Sequence, residues 1–234
     1  MGGTERISNI IWSVSPFNYV EIIMDRLEEI IEFKDIYRDF QALMMNYECA
    51  MLEIKTKLDV LNAELAVKDS RNPFETIKTR IKKPMSIINK LKKDGVEVNL
   101  KNIETYLNDV AGIRVICSFP DDIYKLADYL EAQDDIKVIA RKDYIANPKP
   151  NGYRSLHLIV EVPIFLTSEK KIMRVEVQFR TIAMDFWASL EHKLKYKNEI
   201  ENAESISNEL HYCAELINQL DCKMQQIREK IEVE

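Results

Sequence analysis

The stretch Lys142-Asp143-Tyr144-Ile145-Ala146-Asn147-Pro148-Lys149-Pro150-Asn151-Gly152-Tyr153-Arg154-Ser155-Leu156-His157 is the densest in the chain for residues that could do chemistry. Its Asn, Pro and Gly content reads as a loop. A mere connection has no need of two tyrosines, Lys142, Lys149, Arg154 and a histidine, whereas a loop that stacks a base and neutralises a phosphate does. A second candidate is Arg174-Val175-Glu176-Val177-Gln178-Phe179-Arg180, whose alternation puts Arg174, Glu176, Gln178 and Arg180 on one face of a strand. Those polar groups need water, partners or a ligand, and an edge strand with a solvated face is the plainest alternative. Asp109 stands just before another strand-like segment. With Glu176 it would make a two-carboxylate site for a hard cation that also keeps waters and nucleotide phosphates, as magnesium does.

Charge points the same way. The net charge of −6 argues against a general nucleic-acid binder, but it averages over a segregation. Between Ile77 and Lys93 lie Lys78, Arg80, Lys82, Lys83, Lys90, Lys92 and Lys93 with no acid, while Glu21, Asp25, Glu28, Glu29, Glu32, Asp35 and Asp39 crowd the N-terminal part. A local basic cluster on an acidic protein suits a compact polyanion such as a nucleotide better than a long duplex, so no DNA partner is expected. The plainest alternative is a solvated helix face. No apolar run approaches the roughly 20 residues of a membrane span, and no signal peptide is read at the N-terminus, so a cytoplasmic location is expected. Cys49, Cys117, Cys213 and Cys222 are scattered without a CxxC, which reads as reduced structural thiols.

The elements that must position these residues follow from periodicity. A chain of 234 residues, 46% hydrophobic and 31% charged, has enough apolar surface for one α/β domain with helical additions. Ser15-Pro16 reads as a helix cap and first turn. Phe40, Met44, Tyr47, Met51, Ile54, Leu58, Leu61 and Leu65 alternate by four and three, one apolar seam on a long helix. Leu210, Cys213, Ile217, Leu220, Met224, Ile227 and Ile231 repeat the pattern at the end of the chain. Such seams usually pack on the same chain, and an oligomer interface is the other use. Strands are expected at Gly112–Phe119, Lys137–Ala140, Ser155–Val162 and Ile172–Phe179, and helices at Met85–Lys93, Asp121–Gln133 and Thr181–Lys197. The fold class expected is α/β (α+β): a mixed sheet flanked by helices, with long helices at both ends.

Taken in order, Asp109-Val110-Ala111-Gly112-Ile113-Arg114, KDYIANPKPNGYRSLH, and EVQFRT followed by MDFWASLEHKLKYK resemble the synthetase domain of the RelA/SpoT alarmone enzymes. Upstream, Arg80-Ile81-Lys82 with Ser86 and Lys90 is similar to that family's ATP-side motif. The resemblance implies a nucleotidyltransferase-like sheet and transfer of pyrophosphate from ATP to the 3′-hydroxyl of GTP or GDP, a stringent-response signal. It implies Asp109 as a magnesium ligand and Glu176 as a further ligand or as the base for that hydroxyl. On the ATP side it implies Arg80 and Arg114 stacked on adenine and Lys82 and Lys90 on phosphates, with Ser86 and Lys93 beside them. On the guanine side it implies Tyr153 as the stacking platform, with Lys142, Lys149, Asn151, His157 and Gln178 as neighbours. Lys93 stands where relatives often carry arginine, and Asp185 where some small members carry asparagine. The chain resembles a small, synthetase-only member: a leader over 1–15, a helical region over 16–70, a catalytic domain over 71–200 and a C-terminal helix over 201–234. Small relatives of this kind imply a homotetramer under control of its own alarmone product. The alternative within the same fold is a degenerate sensor that binds guanine nucleotides or RNA without turnover.

Overall fold

The computed structural model describes residues 16–68, 71–195 and 203–232. The expected leader, the Ser15 cap and the last two residues of the expected helix Thr181–Lys197 lie outside them. Helix α1 runs Pro16–Lys68. The described residues group into two compact units, divided between Met45 and Asn46. What is described of the first is helix, with an exposed ion pair of little energetic weight between Arg38 and Asp35 (3.1 Å). In the second, Tyr47, Ala50, Ile54, Leu58 and Leu65 of α1 are buried at the spacing of the apolar seam.

The sheet has five strands, β1 (Phe74–Ile81), β2 (Ala111–Cys117), β3 (Lys137–Asp143), β4 (Leu156–Phe165) and β5 (Lys170–Thr181), in the order β1-β2-β5-β4-β3. β2 and β5 run parallel and the other neighbours antiparallel, so the sheet is mixed as expected. One face is apolar: Val115, Leu158, Val160, Val175, Val177 and Phe179 are fully buried. Helix α4 (Pro120–Glu131) packs on β2, β4 and β5, burying Ile123, Leu126, Ala127 and Leu130. The opposite face carries the polar residues of the site.

Two alternatives are excluded and one expectation needs correction. The polar-faced strand β5 lies at the centre of the sheet rather than at its edge, so solvation by an open edge does not explain Glu176, Gln178 and Arg180. The basic run Ile77–Lys93 is not one helix face. Its first part is β1, an edge strand in which only Phe74 is buried, and its second part is helix α2 (Pro84–Lys93), whose inward residues are Ile87 and Leu91. A two-residue period is hard to see in a strand with little apolar content, because an edge strand need not bury either face fully.

The correction concerns helix α6 (Ala203–Glu232). The second half of its seam stays open: Leu220, Met224, Ile227 and Ile231 are exposed, while Leu210 and Ile217 are half-buried and Ala214, Asp221 and most of Arg228 turn inward. Polar contacts decide the orientation. Asp221 accepts a bond from Thr181 at 2.6 Å, and Arg228 forms a two-pronged pair with Asp121 at 2.8 Å on each prong. Arg71 pairs likewise with Asp122, and the two guanidiniums lie 4.9 and 4.8 Å from the Phe119 ring centre. Helix α3 (Leu100–Tyr106), capped by Asn99 accepting from the amide of Asn102 at 2.8 Å, and helix α5 (Ile182–Lys195) complete the described elements. Among the described residues, no helix is long and apolar enough to cross a membrane.

Candidate functional site

Strand register draws the candidate residues into rows. Lys78 on β1 pairs with Arg114 on β2, Arg114 with Gln178 on β5, Gln178 with His157 on β4, and His157 with Lys142 on β3. Directly paired residues project to the same face, so one polar row crosses the whole sheet. The adjacent row runs Arg80, Gly112, Glu176, and Gly112 leaves no side chain between the arginine and the carboxylate. A cleft of about 230 Å³ opens over these rows, walled by Lys78, Arg80, Arg114, Glu176, Gln178 and Arg180.

On the β1 side, Asp109 is gripped by Lys82 at 2.6 Å and Lys90 at 2.8 Å. The grip is built from three elements: Asp109 precedes β2, Lys82 follows β1 and bonds its amide to the Val110 carbonyl (2.8 Å), and Lys90 comes from α2. Burial pushes the Asp109 carboxyl up, but the two lysines outweigh it and hold it below the ordinary carboxylate value. Ser86 and Lys93 share the helical face of Lys90 by spacing, yet both are exposed, and the described ion pairs of Asp109 are with Lys82 and Lys90.

At the centre a closed hydrogen-bond ring surrounds Glu176. Gln178 Nε2 donates to Glu176 Oε2 (2.8 Å), and Arg180 Nη2 donates both to Gln178 Oε1 (3.1 Å) and to the Tyr153 hydroxyl (2.6 Å). Tyr153 meets His157 Nε2 at 2.8 Å, and His157 Nδ1 meets Glu176 Oε1 at 3.1 Å. The network assigns the tautomer: Nδ1–H faces the carboxylate, so Nε2 accepts from the phenol. Burial raises the Glu176 carboxyl, but the bonds from His157 and Gln178 prevail and its pKa is lowered, so the group is an anion. One protein donor on each oxygen leaves lone pairs free to accept a proton.

The loop between β3 and β4 is a built structure. Asp143 Oδ1 accepts from the amides of Ile145 and Ala146, each at 2.9 Å, and Gly152 closes a turn onto the Lys149 carbonyl at 2.8 Å with φ +84°. Tyr144, Tyr153 and His157 pack edge to face, and Lys149 Nζ lies 4.6 Å from the Tyr144 ring centre and 5.0 Å from that of Tyr153. Asn151 acts within the loop, accepting from the Tyr153 amide (3.2 Å) and donating to Glu191 of α5 (3.0 Å). Helix α6 walls the loop from behind. A Cβ at Gly152 would overlap the Ala214 methyl, and Arg154 reaches Glu215 at 2.8 Å.

Sequence reasoning assigned no site role to Lys78 or Arg180, and it left open whether Asp185 contacts guanine. Asp185, in the first turn of α5, accepts from Arg114 at 2.9 Å, Arg180 at 3.2 Å and Lys78 at 3.3 Å. Burial, then the neighbouring Arg180, lowers the Arg114 pKa, and Asp185 opposes that shift. The signal for Arg180 was present in the alternation of β5. Asp185 was marked only by the resemblance, and its pairing with Arg114 was not legible, since only tertiary folding brings the two together.

The residues fit a magnesium ion that arrives with a polyphosphate. Among the described residues no three His, Cys, Asp or Glu side chains gather as a metal group, so a dedicated protein cage is absent. Magnesium asks less: one or two carboxylates plus waters and phosphate oxygens. Asp109 and Glu176 are ionised and within electrostatic reach of each other.

The pattern of a region found in RelA and SpoT proteins matches residues 79–201, just over half of the sequence. The chain belongs to the RelA/SpoT family. The GTP pyrophosphokinase YwaC of Bacillus subtilis is 40% identical over 201 residues, covering 86% of this chain and 96% of its own. The GTP pyrophosphokinase YjbM of the same organism is 35% identical over 83% of this chain and 91% of its own. This RelA/SpoT chain also superposes on the small alarmone synthetase 1 of B. subtilis bound to its product pppGpp, with a TM-score of 0.76 at 36% identity over 82% of this chain and 98% of the other. The same relative bound to AMPCPP gives 0.69 at 31% identity, over 83% and 98%.

Proposed function

We propose that the protein is a GTP pyrophosphokinase that transfers the β,γ-pyrophosphoryl group of ATP to the 3′-hydroxyl of GTP or GDP, making (p)ppGpp and releasing AMP. The observation that carries the reading is the position of Glu176, an ionised carboxylate with a cation-lined cleft on one side and the aromatic loop on the other. One relative, the small alarmone synthetase 1 of B. subtilis, is bound to AMPCPP in one structure and to its product pppGpp in another, which is the pair of ligands such a site needs.

The chemistry follows from the residues. Arg80 and Arg114 offer guanidinium planes for adenine, and Lys82 and Lys90 offer charge for the phosphates. Tyr153 offers an aromatic face to guanine, with Lys142, Lys149 and His157 near the acceptor's phosphates and ribose. Glu176 accepts the proton of the 3′-hydroxyl as its oxygen bonds the β-phosphorus, and the bond from that phosphorus to the oxygen of the α-phosphate breaks to free AMP. Asp109 and Glu176 are the residues that would hold magnesium with the ATP phosphates, and the ion supplies neutralisation of charge on the transferring group. Lys82 and Lys90 pair with Asp109 and keep it charged. The chain works in the cytoplasm, where both nucleotides are held. A homo-oligomer, a tetramer by resemblance, would cover the exposed seam of α6.

Incubating the protein with ATP, magnesium and GTP or GDP, then separating the nucleotides by chromatography, tests the reading. The expected products are AMP and a guanosine pyrophosphorylated at the 3′ position in equal amounts. Folded protein that binds both nucleotides and yields neither product would make it a sensor instead.

A further inference from the structure

We infer that Arg180, held by Asp185, is a positioning residue that couples the two halves of the site, so that filling the donor cleft aligns the acceptor platform. This rests on the pyrophosphokinase reading for the identity of the two ligands. Arg180 is 5% exposed at the inner end of β5, and Asp185 is 9% exposed at the start of α5. The guanidinium divides its work. Nη1 meets Asp185 Oδ1 at 3.2 Å, the oxygen that also accepts from Arg114 at 2.9 Å, and Nη2 meets the Tyr153 hydroxyl at 2.6 Å and Gln178 at 3.1 Å. An unbroken path therefore runs from Arg114 through Asp185, Arg180, Tyr153 and His157 to Glu176.

Only a forked cation serves here. A lysine carries its three donors on a single nitrogen, so it cannot reproduce two donor nitrogens set apart on a rigid plane, one toward the carboxylate and one toward the phenol. The Arg180–Asp185 link is buried and the other links are part-buried, so water and salt screen the path less than they would a surface pair, and hydrogen bonds in series polarise one another. Asp185 joins cations of the donor cleft, with Lys78 on its other oxygen at 3.3 Å. That places it as their shared counter-ion, where the alternative role would be a direct contact to the guanine ring.

The test is titration calorimetry on the full chain with GDP, alone and with saturating α,β-methylene ATP and magnesium. In the unaltered protein the analogue should tighten GDP about tenfold, within the ordinary range of coupling between sites. Arg180→Lys should bind each nucleotide alone within about threefold of the parent but lose that synergy, and its kcat should fall more than either KM rises. Asp185→Asn should lose the same synergy, and the double variant should lose no more than either alone. A thermal melt checks folding. If Arg180→Lys does not fold, Tyr153→Phe, which deletes only the hydroxyl link, should abolish the synergy by itself. Intact synergy in the folded variants, or none in the parent, overturns the inference. So does an Asp185→Asn variant in which only the affinity for GDP falls, since that assigns Asp185 to guanine. Because binding is read without turnover, a chain that shows synergy but makes no product would defeat the pyrophosphokinase reading and leave the coupling standing.

Discussion

The two halves of the site are held in place by different physics. In the donor half, cations are kept in position by carboxylates: Lys82 and Lys90 by Asp109, and Lys78, Arg114 and Arg180 by Asp185. In the acceptor half, shape is set by backbone turns, an edge-to-face aromatic cluster and the wall of α6. The donor half thus stores charge balance that a polyphosphate and its metal can exchange with, while the acceptor half stores a surface. Perturbing the first should change salt-sensitive binding of ATP. Perturbing the second should change the fit of the guanine nucleotide. Glu176 belongs to both, tied to the loop through His157 and close to Asp109.

The largest effect is expected at that junction. Glu176→Gln keeps size and one acceptor oxygen but removes the base, so kcat should fall by about 10²–10⁴ while calorimetry still detects both nucleotides. Loss of binding instead of turnover would make Glu176 part of one half only. Gly152→Ala comes next. Its φ of +84° is a left-handed conformation, and a methyl there would overlap Ala214. We expect the KM for GDP to rise on the order of tenfold with the KM for ATP nearly unchanged, as strain of 1–2 kcal/mol in the loop would give. Equal rises in both would break the separation of the halves.

Lys90→Ala should act in the reverse sense and more weakly, because Lys90 is partly exposed and Lys82 remains on Asp109. The KM for ATP should rise about three- to tenfold and become less sensitive to salt, measured from 50 to 300 mM as rough limits. The smallest effect is on stability. Burial raises the Asp221 pKa, against a smaller lowering by Thr181, so the folded state favours the protonated form. A raised folded pKa means stability is fully present at acidic pH below the unfolded carboxylate value and is lost as pH rises through the folded value. Asp221→Asn keeps an acceptor for Thr181 without the charge. Its melting temperature should exceed the parent's by about 2–4 °C at pH 8 and by less at pH 4. A gap that shrinks as pH rises would contradict the wall of α6 as drawn.

The acceptor half was the more legible in sequence, and the reason is local. A turn, its glycine, its prolines and its tyrosines are neighbours along the chain, so composition alone singles out Lys142–His157. The alternation of β5 and the α1 seam were legible for the same reason, since each is written in the spacing of one element. The donor half is assembled from β1, β2, α2 and α5, and register brings Arg80 opposite Gly112 and Glu176. Asp185 is one acid among many until α5 folds back toward β2. Strand β1 escaped because an edge strand carries a weak apolar signal, and α3 because so short a helix shows too few turns for a period. The orientation of α6 was missed since Asp221 and Arg228, rather than its leucines, choose the inward face. His157 is as buried as a core residue, yet its two ring nitrogens link Tyr153 to Glu176.

The central claim is that a pyrophosphoryl group moves as a unit onto the acceptor held by the loop. Rapid-quench analysis with ATP labelled in its γ-phosphate, GDP and magnesium measures this directly. The account predicts that label appears in a 3′-pyrophosphorylated guanosine in a one-to-one ratio with AMP. Label in GTP with ADP formed alongside, or label released as inorganic phosphate, would mean that the γ-phosphate moves alone and would contradict it.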